Sequence, residues 1–110
     1  MNNGFLSKID GQKIGGFSLV VEDRREGRFS EETNFELYLE DNEGEKSRKP
    51  VVWGKYFSGR GKYYSPWIEL NFAEKIKFKS NSASFFGGNI GEELFETFFR
   101  NLPSGGRLKQ

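Results

Sequence analysis

The chain has 110 residues, and its 17 basic and 16 acidic side chains give a formal net charge of +1. A nearly neutral chain has no overall electrostatic field that would favour nucleic acid or an anionic membrane. The sequence contains neither cysteine nor histidine, which excludes disulfides, thiolate metal sites and catalysis that depends on imidazole.

Two stretches in the first half of the chain alternate apolar and polar residues with the period of two that is typical of β-strands. The first covers residues 17–22 and follows a pair of glycines that predicts a turn. The second covers residues 34–40, in which Phe35, Leu37 and Leu39 are predicted to point inward. Both strands are therefore expected to cover one side of a core.

Turn residues follow the second strand, and strand character resumes at residues 51–53. We expect the strands at 34–40 and 51–53 to form a hairpin. A second hairpin is predicted between residues 55–57 and 62–64, which flank a short loop containing two glycines. Residues 66–72 and 76–78 predict two more strands, and Pro66 indicates either the start of the first of these or an edge strand.

Near the end of the chain the hydrophobic period changes to that of an amphipathic helix. The helix is predicted to begin near Gly91 and to end before Pro103, and a short final strand is predicted within residues 104–110. Its apolar side is predicted to consist of Leu94, Phe95, Phe98, Phe99 and Leu102. The sequence thus predicts one cytoplasmic α+β domain over residues 1–110, in which a meander of antiparallel hairpins forms a twisted sheet closed by one C-terminal helix.

A glycine-rich segment directly before the predicted helix is the first candidate binding site. It consists of Gly87, Gly88, Asn89, Ile90 and Gly91. Glycines let backbone N–H groups approach a ligand, and the N-termini of helices attract phosphates. Glu92 and Glu93 occupy the positive end of the helix and would repel an anion. A turn without a ligand is therefore the alternative interpretation.

The order of the elements, antiparallel strands followed by a glycine-bearing loop and an amphipathic helix, resembles the first half of the N-acetyltransferase-like fold. That resemblance implies that the loop binds the pyrophosphate of coenzyme A or acetyl-CoA through the amides from Gly88 to Gly91. The family signature is matched at Gly91, whereas Phe86 replaces a Gln or Arg and Asn89 replaces a Gly. Candidates for proton transfer, chosen by residue type, are Glu36, Tyr63 and Tyr64.

Three further segments resemble an uncharacterised, largely archaeal family of prokaryotic proteins that is associated with this fold. They are Asn-Phe-Glu-Leu-Tyr-Leu-Glu at 34–40, Gly-Lys-Tyr-Phe at 54–57 and Leu-Pro-Ser-Gly-Gly-Arg-Leu at 102–108. The family has no established activity to transfer to this chain. Its members look longer, so the resemblance implies that the chain is truncated at its C-terminus.

A stretch without acidic residues, from 46 to 68, is the second candidate site. Basic side chains alternate there with aromatic rings, a composition typical of surfaces that bind single-stranded nucleic acid. The candidate residues are Lys55, Tyr56, Arg60, Lys62, Tyr63 and Tyr64. The alternative interpretation pairs the cations with the acidic residues at 36–45 and places the rings in the core. The balanced total charge favours that alternative.

Two weaker features complete the sequence-based predictions. The acidic run at 40–45 lacks the spacing of an EF-hand, so it predicts a solvated hairpin turn rather than a calcium site. Val20, Tyr38, Trp53 and Trp67 are predicted on the outer face of the sheet. Exposed rings often mark a partner surface, so a protein-binding face or a homo-oligomer interface is one interpretation, and scattered surface rings are the other.

Overall fold

The computed structural model describes residues 4–25, 32–57, 67–79, 81–84, 88–102 and 107–109. Its helices are α1 (Gly4–Ile9) and α2 (Gly88–Asn101). Its strands are β1 (Lys13–Ile14), β2 (Phe17–Arg25), β3 (Glu32–Glu40), β4 (Val52–Phe57), β5 (Trp67–Phe72), β6 (Lys77–Phe78), β7 (Asn81–Ser84) and β8 (Arg107–Lys109). This content is mostly sheet and confirms the predicted α+β class.

Six strands form one curled sheet in the order β1-β2-β3-β4-β5-β8, and β6 pairs with β7 separately. From β1 to β5 each strand is antiparallel to the next, which confirms the predicted meander. Leu37 of β3 pairs with Val52 of β4, as the first predicted hairpin requires. β8 is parallel to β5, with Ile68 opposite Leu108. A parallel neighbour requires a crossover connection, and this one contains α2.

The second predicted hairpin, between residues 55–57 and 62–64, is wrong. Tyr56 of β4 pairs with Thr33 of β3 on one side and with Ile68 of β5 on the other. Both edges of β4 are therefore used at these positions. Residues 62–64 lie outside the described residues.

The alternation in β3 separates two faces of the sheet. Phe35, Leu37 and Leu39 are 2%, 0% and 0% exposed and form the inner face, as predicted. This inner face shares one core with residues of both helices, including Phe5 of α1 and Phe98 of α2. The opposite side of the sheet, which we call the open face, has no helical cover within the described part of the chain.

The helix α1 is too short to be predicted from a hydrophobic period, because it has only six residues. An isolated helix of this length does not persist in water, so packing must stabilise it. Phe5, Leu6 and Ile9 are all buried in the core. The Phe5 ring stacks on the ring of Tyr56, with centroids 5.7 Å apart.

The helix α2 begins at Gly88, three residues before the predicted start near Gly91, and it ends before Pro103 as predicted. Leu94 and Phe98 are completely buried, in agreement with the predicted apolar side. The helix therefore closes the core over the inner face of the sheet.

Two of the five predicted core positions of α2 are not in the core. Phe95 and Phe99 are 38% and 55% exposed, whereas Thr97 is fully buried. Successive helical residues are about 100° apart around the axis, so Phe95 and Phe99 lie on the flank of the buried stripe. Their rings contact each other, with centroids 4.8 Å apart.

The strand predicted at residues 76–78 is present as β6, although it is only two residues long. Its partner β7 is not predicted, because residues 81–84 are polar and small and lack an alternating pattern. Within the described parts of the chain, neither helix has the length and apolar character needed to cross a membrane.

Candidate functional site

The predicted glycine segment forms the first turn of α2. Gly88 opens the helix, Asn89 and Gly91 have helical backbone, and Gly87 lies outside the described residues. The first four N–H groups of a helix have no acceptor within the helix, and they carry partial positive charge. The side chain of Ile90 is only 6% exposed and packs in the core. A ligand at this turn would therefore meet backbone rather than the Ile90 side chain.

This first turn, which we call the glycine turn, packs against the connection between β1 and β2. The Oε2 atom of Glu93 accepts a hydrogen bond of 2.9 Å from the backbone N–H of Gly15. A Cβ atom on Gly15 would lie 3.0 Å from Cδ1 of Ile90, which leaves little room for a side chain. The carboxylate that is expected to repel an anion is thus held by the β1–β2 connection.

The glycine turn lies at the edge of the sheet where β2 begins. Since β3 and β5 both run opposite to β2, their carboxyl ends meet at the same edge. The glycine turn is therefore at the same end of the sheet as the carboxyl ends of β3 and β5.

The second candidate site is largely outside the described residues. Lys55 Nζ forms an ion pair of 3.1 Å with Oε2 of Glu32. Tyr56 is 7% exposed and stacks on Phe5, so its ring is not accessible to a nucleic-acid base. The remaining candidates, for which the structure gives no placement, are Arg60, Lys62, Tyr63 and Tyr64. Tyr56 is in the core, as the alternative interpretation expects, and Lys55 is paired, although with Glu32 rather than with an acidic residue at 36–45.

A polar group on the open face joins β2, β3 and the β3–β4 connection. The strand register places Glu22 directly opposite Glu36. The hydroxyl of Tyr38 donates a hydrogen bond of 3.2 Å to Oε1 of Glu36. Lys46 Nζ lies 2.6 Å from Oε2 of Glu22 and 4.5 Å from the centroid of the Tyr38 ring. We call these residues, together with Glu40, the Tyr38 group.

The backbone after β3 explains how Lys46 reaches the Tyr38 group. Asp41 Oδ1 accepts hydrogen bonds of 2.9 Å from the N–H groups of Glu43 and Glu45. These bonds close the tight turn that the acidic run predicts. The chain then returns along β3, and Lys46 pairs with Glu40 in an isolated bridge. The lysine is thereby held beside the open face.

The charges of the Tyr38 group influence one another. Burial raises the pKa of Tyr38 above its ordinary value of 10.0, Glu36 and Glu22 raise it further, and Lys46 lowers it. The hydrogen bond to Glu22 raises the pKa of Lys46 above its ordinary value of 10.5, against the effect of desolvation. At neutral pH the tyrosine is therefore neutral and the lysine is charged. The formal charges of the group are the three negative carboxylates of Glu22, Glu36 and Glu40 and the positive ammonium of Lys46.

In this arrangement Tyr38 donates a hydrogen bond to Glu36, and Glu22 holds the ammonium group of Lys46. Glu36 and Tyr38 are in contact. A tyrosine with a raised pKa stays protonated near neutral pH, so it is a poor general base there. Glu36 also lies on the open face, whereas α2 packs on the inner face. Glu36 and the glycine turn are thus on different faces of the sheet, and the proton-transfer role of Glu36 stays a prediction.

Of the four residues predicted on the outer face, Val20, Tyr38 and Trp53 are confirmed there. Val20 pairs with Tyr38, and Trp53 pairs with Glu36, so all four side chains belong to the open face. Trp53 is 39% exposed. The side chain of Trp67 is not among those described. In the described part of the chain, no three carboxylates are close enough together to hold a metal ion.

Comparison with known proteins gives one result at the level of the family. The family model described as "Protein of unknown function (DUF1122)" matches residues 15–109. No curated protein and no solved structure matches the chain. The matched range includes the sheet from β2 onward, the glycine turn, α2 and β8, so it covers both the glycine turn and the Tyr38 group. The chain therefore belongs to DUF1122, a family of proteins of unknown function.

Proposed function

We propose that the chain is an acyltransferase-like domain that binds the pyrophosphate of coenzyme A or acetyl-CoA at the glycine turn. The observation that carries the proposal is that Gly88 and Gly91 lie in the first turn of a helix of 14 residues. The helix itself does not use the N–H groups of its first turn, and a glycine has no side chain of its own to cover them. Two linked phosphates need several such donors, which a helix N-terminus can supply.

The topology supports the same proposal. β8 returns parallel to β5 after a crossover that contains α2. This return at the end of an antiparallel meander is compatible with the N-acetyltransferase-like fold that the sequence resembles. The glycine turn lies against the β1–β2 connection, at the same end of the sheet as the carboxyl ends of β3 and β5, and a ligand bound there would approach that end.

The two glutamates that follow the glycine turn oppose an anion to different degrees. Glu93 is bound to the N–H of Gly15, which holds its carboxylate against the β1–β2 connection. Glu92 is exposed, so water and salt screen its charge. The backbone donors of Gly88 and Gly91 can therefore outweigh the repulsion, and binding should tighten when either glutamate is neutralised.

The proposal concerns binding and assigns no catalytic residue. Glu36 is on the other face of the sheet from α2, and Tyr63 and Tyr64 lie outside the described residues. No described side chain is therefore assigned to proton transfer at an acyl group.

Calorimetry with coenzyme A, acetyl-CoA and pantetheine tests the proposal directly. Pantetheine lacks the pyrophosphate, so it should bind more weakly than the two complete cofactors. Gly88→Asp places a negative charge at the start of the helix and should weaken coenzyme A binding about tenfold. The side chain in Gly88→Asn has nearly the same shape as that in Gly88→Asp but carries no charge, so this variant should retain most of the affinity for coenzyme A.

Two results would contradict the proposal. One is the absence of any binding heat when wild-type protein is titrated with coenzyme A. The other is an equal loss of affinity in Gly88→Asp and Gly88→Asn, which would mean that charge at the glycine turn is irrelevant. Because Asp is favourable at a helix N-terminus, unfolding is not the expected reason for a loss.

A further inference from the structure

We propose that the exposed side of α2 binds the apolar acyl chain of an acyl-CoA, so that the preferred ligand carries a longer acyl group than acetyl. This inference rests on the proposed function, because it extends the site at the glycine turn along the same helix. It is based on two exposed phenylalanine rings of α2 and on a third ring of β5 that contacts them. We call these three residues the ring patch: Phe72, Phe95 and Phe99.

The ring patch is one continuous apolar surface. The ring centroids of Phe95 and Phe99 are 4.8 Å apart, and those of Phe72 and Phe95 are 6.3 Å apart. Phe72 also contacts the buried ring of Phe98, with centroids 6.1 Å apart. Phe95 and Phe99 are 38% and 55% exposed. The patch is therefore held by the core on one side and is open to a ligand on the other.

The exposed rings lie on the same side of α2 as the glycines of the glycine turn. Successive residues of an α-helix are about 100° apart around its axis. One sector of about 80° therefore contains four residues of α2, which are Gly88, Gly91, Phe95 and Phe99. The two glycines have no side chain that would stand between the start of the helix and the rings. A linear ligand can thus lie along this side of α2, from the glycine turn to the ring patch.

The length of α2 agrees with the length of the coenzyme. Along the helix axis, Phe95 lies about 10 Å and Phe99 about 16 Å beyond Gly88. The pantetheine arm, which separates the pyrophosphate from the thioester, has a comparable length when it is extended. Phosphates bound at the glycine turn therefore bring the acyl group to the ring patch. Methylene groups that cover these rings leave water, which is favourable in proportion to the apolar area removed from it.

The area of the ring patch favours an acyl chain over a second copy of the protein. Phe95 and Phe99 together expose about as much surface as one whole phenylalanine side chain, on the order of 200 Å². A stable protein interface buries about 800 Å² on each partner. A symmetric dimer would also bring Glu92 and Glu96, which are exposed beside the patch, against the same residues of the second copy. Repulsion between these carboxylates disfavours the dimer, whereas an acyl chain carries no charge.

Calorimetry with coenzyme A and with its acetyl, butyryl, hexanoyl and octanoyl thioesters tests this inference. The affinity of the wild type should rise about twofold for each added methylene, because one side of the chain stays in water. Phe95→Ala and Phe99→Ala should each weaken octanoyl-CoA binding about fivefold and leave the affinity for coenzyme A unchanged. Trp53→Ala is the matched control, because Trp53 is 39% exposed on the open face. Its affinities for all five ligands should equal those of the wild type.

The outcomes separate this inference from the proposed function. If the wild type binds all five ligands with the same affinity, the inference is overturned and the coenzyme A site remains. If the wild type binds none of them, the proposed function fails and the inference fails with it. An equal loss of octanoyl-CoA affinity in Trp53→Ala and Phe99→Ala would also overturn the inference. So would a dimer in sedimentation velocity that Phe99→Ala dissociates, because a second copy would then cover the ring patch.

Discussion

A Cβ atom placed on Gly54 would overlap the carbonyl oxygen of Glu69 and lie 2.8 Å from its carbonyl carbon. Gly54 is in the middle of β4, and Glu69 is in the neighbouring strand β5. The obstacle is backbone rather than a flexible side chain, so it cannot rotate away. Glycine at this position therefore permits the close approach of two central strands.

Gly54→Ala should consequently destabilise the protein by about 3 kcal/mol, because the sheet must shift to accept one methyl group. Urea unfolding monitored by circular dichroism would measure the change. Gly16→Ala is the control, since a Cβ atom on Gly16 would meet nothing within 4 Å. A similar loss in both variants would show that the contact with Glu69 is not the cause.

The two faces of α2 should respond differently to truncation. Phe98 is fully buried, whereas Phe99 is 55% exposed. Phe98→Ala should lower the free energy of unfolding by about 4 kcal/mol, and Phe99→Ala by less than about 1 kcal/mol. Thermal or urea unfolding distinguishes the two. Equal losses would mean that the buried stripe of α2 is not the one described.

The hydrogen bond between Glu93 and Gly15 should stabilise the contact between α2 and the β1–β2 connection. Glu93→Ala should cost about 1 kcal/mol of unfolding free energy, because the Gly15 N–H loses a charged acceptor. Glu92→Ala changes an exposed side chain one residue earlier and should cost less. If hydrogen exchange at the Gly15 amide is the same in wild type and Glu93→Ala, the bond does not contribute.

Alkaline pH should destabilise the protein through the Tyr38 group. The folded-state pKa values of Tyr38 and Lys46 are raised above 10.0 and 10.5. Such groups contribute stability that is complete below the unfolded pKa and is lost as the pH rises through the folded pKa. The unfolding free energy should therefore fall above about pH 10, and it should fall less in the double variant Tyr38→Phe/Lys46→Met. An identical decrease in both proteins would rule out this linkage.

The sequence predicts those parts of the fold that depend on short-range patterns. The alternation of β3 predicts which of its residues are buried, and the change of period predicts α2. The helix start is displaced by three residues, because Gly88 and Gly91 are poor helix formers. Gly15 and its neighbour predict a turn, but they do not predict that Glu93 binds to that turn 78 positions later.

Long-range features could not be read from the sequence. Lys46 and Glu22 are separated by 24 residues, and their contact depends on the register of β2 against β3 together with the turn after β3. The position of Glu36 on the open face follows from strand alternation. Strand alternation does not predict that Glu36 and α2 are on different faces of the sheet, because the packing of the whole core decides which face the helix covers.

One contact in the core has a consequence for synthesis on the ribosome. The ring of Phe5 lies 5.7 Å from the rings of both Tyr56 and Phe98. These three rings belong to segments translated at very different times, since about 90 residues separate the first from the last. A nascent polypeptide that has completed the meander but not α2 leaves the apolar side of α1 without its final cover. We therefore expect this apolar side to stay exposed in the nascent chain until Phe98 has left the exit tunnel.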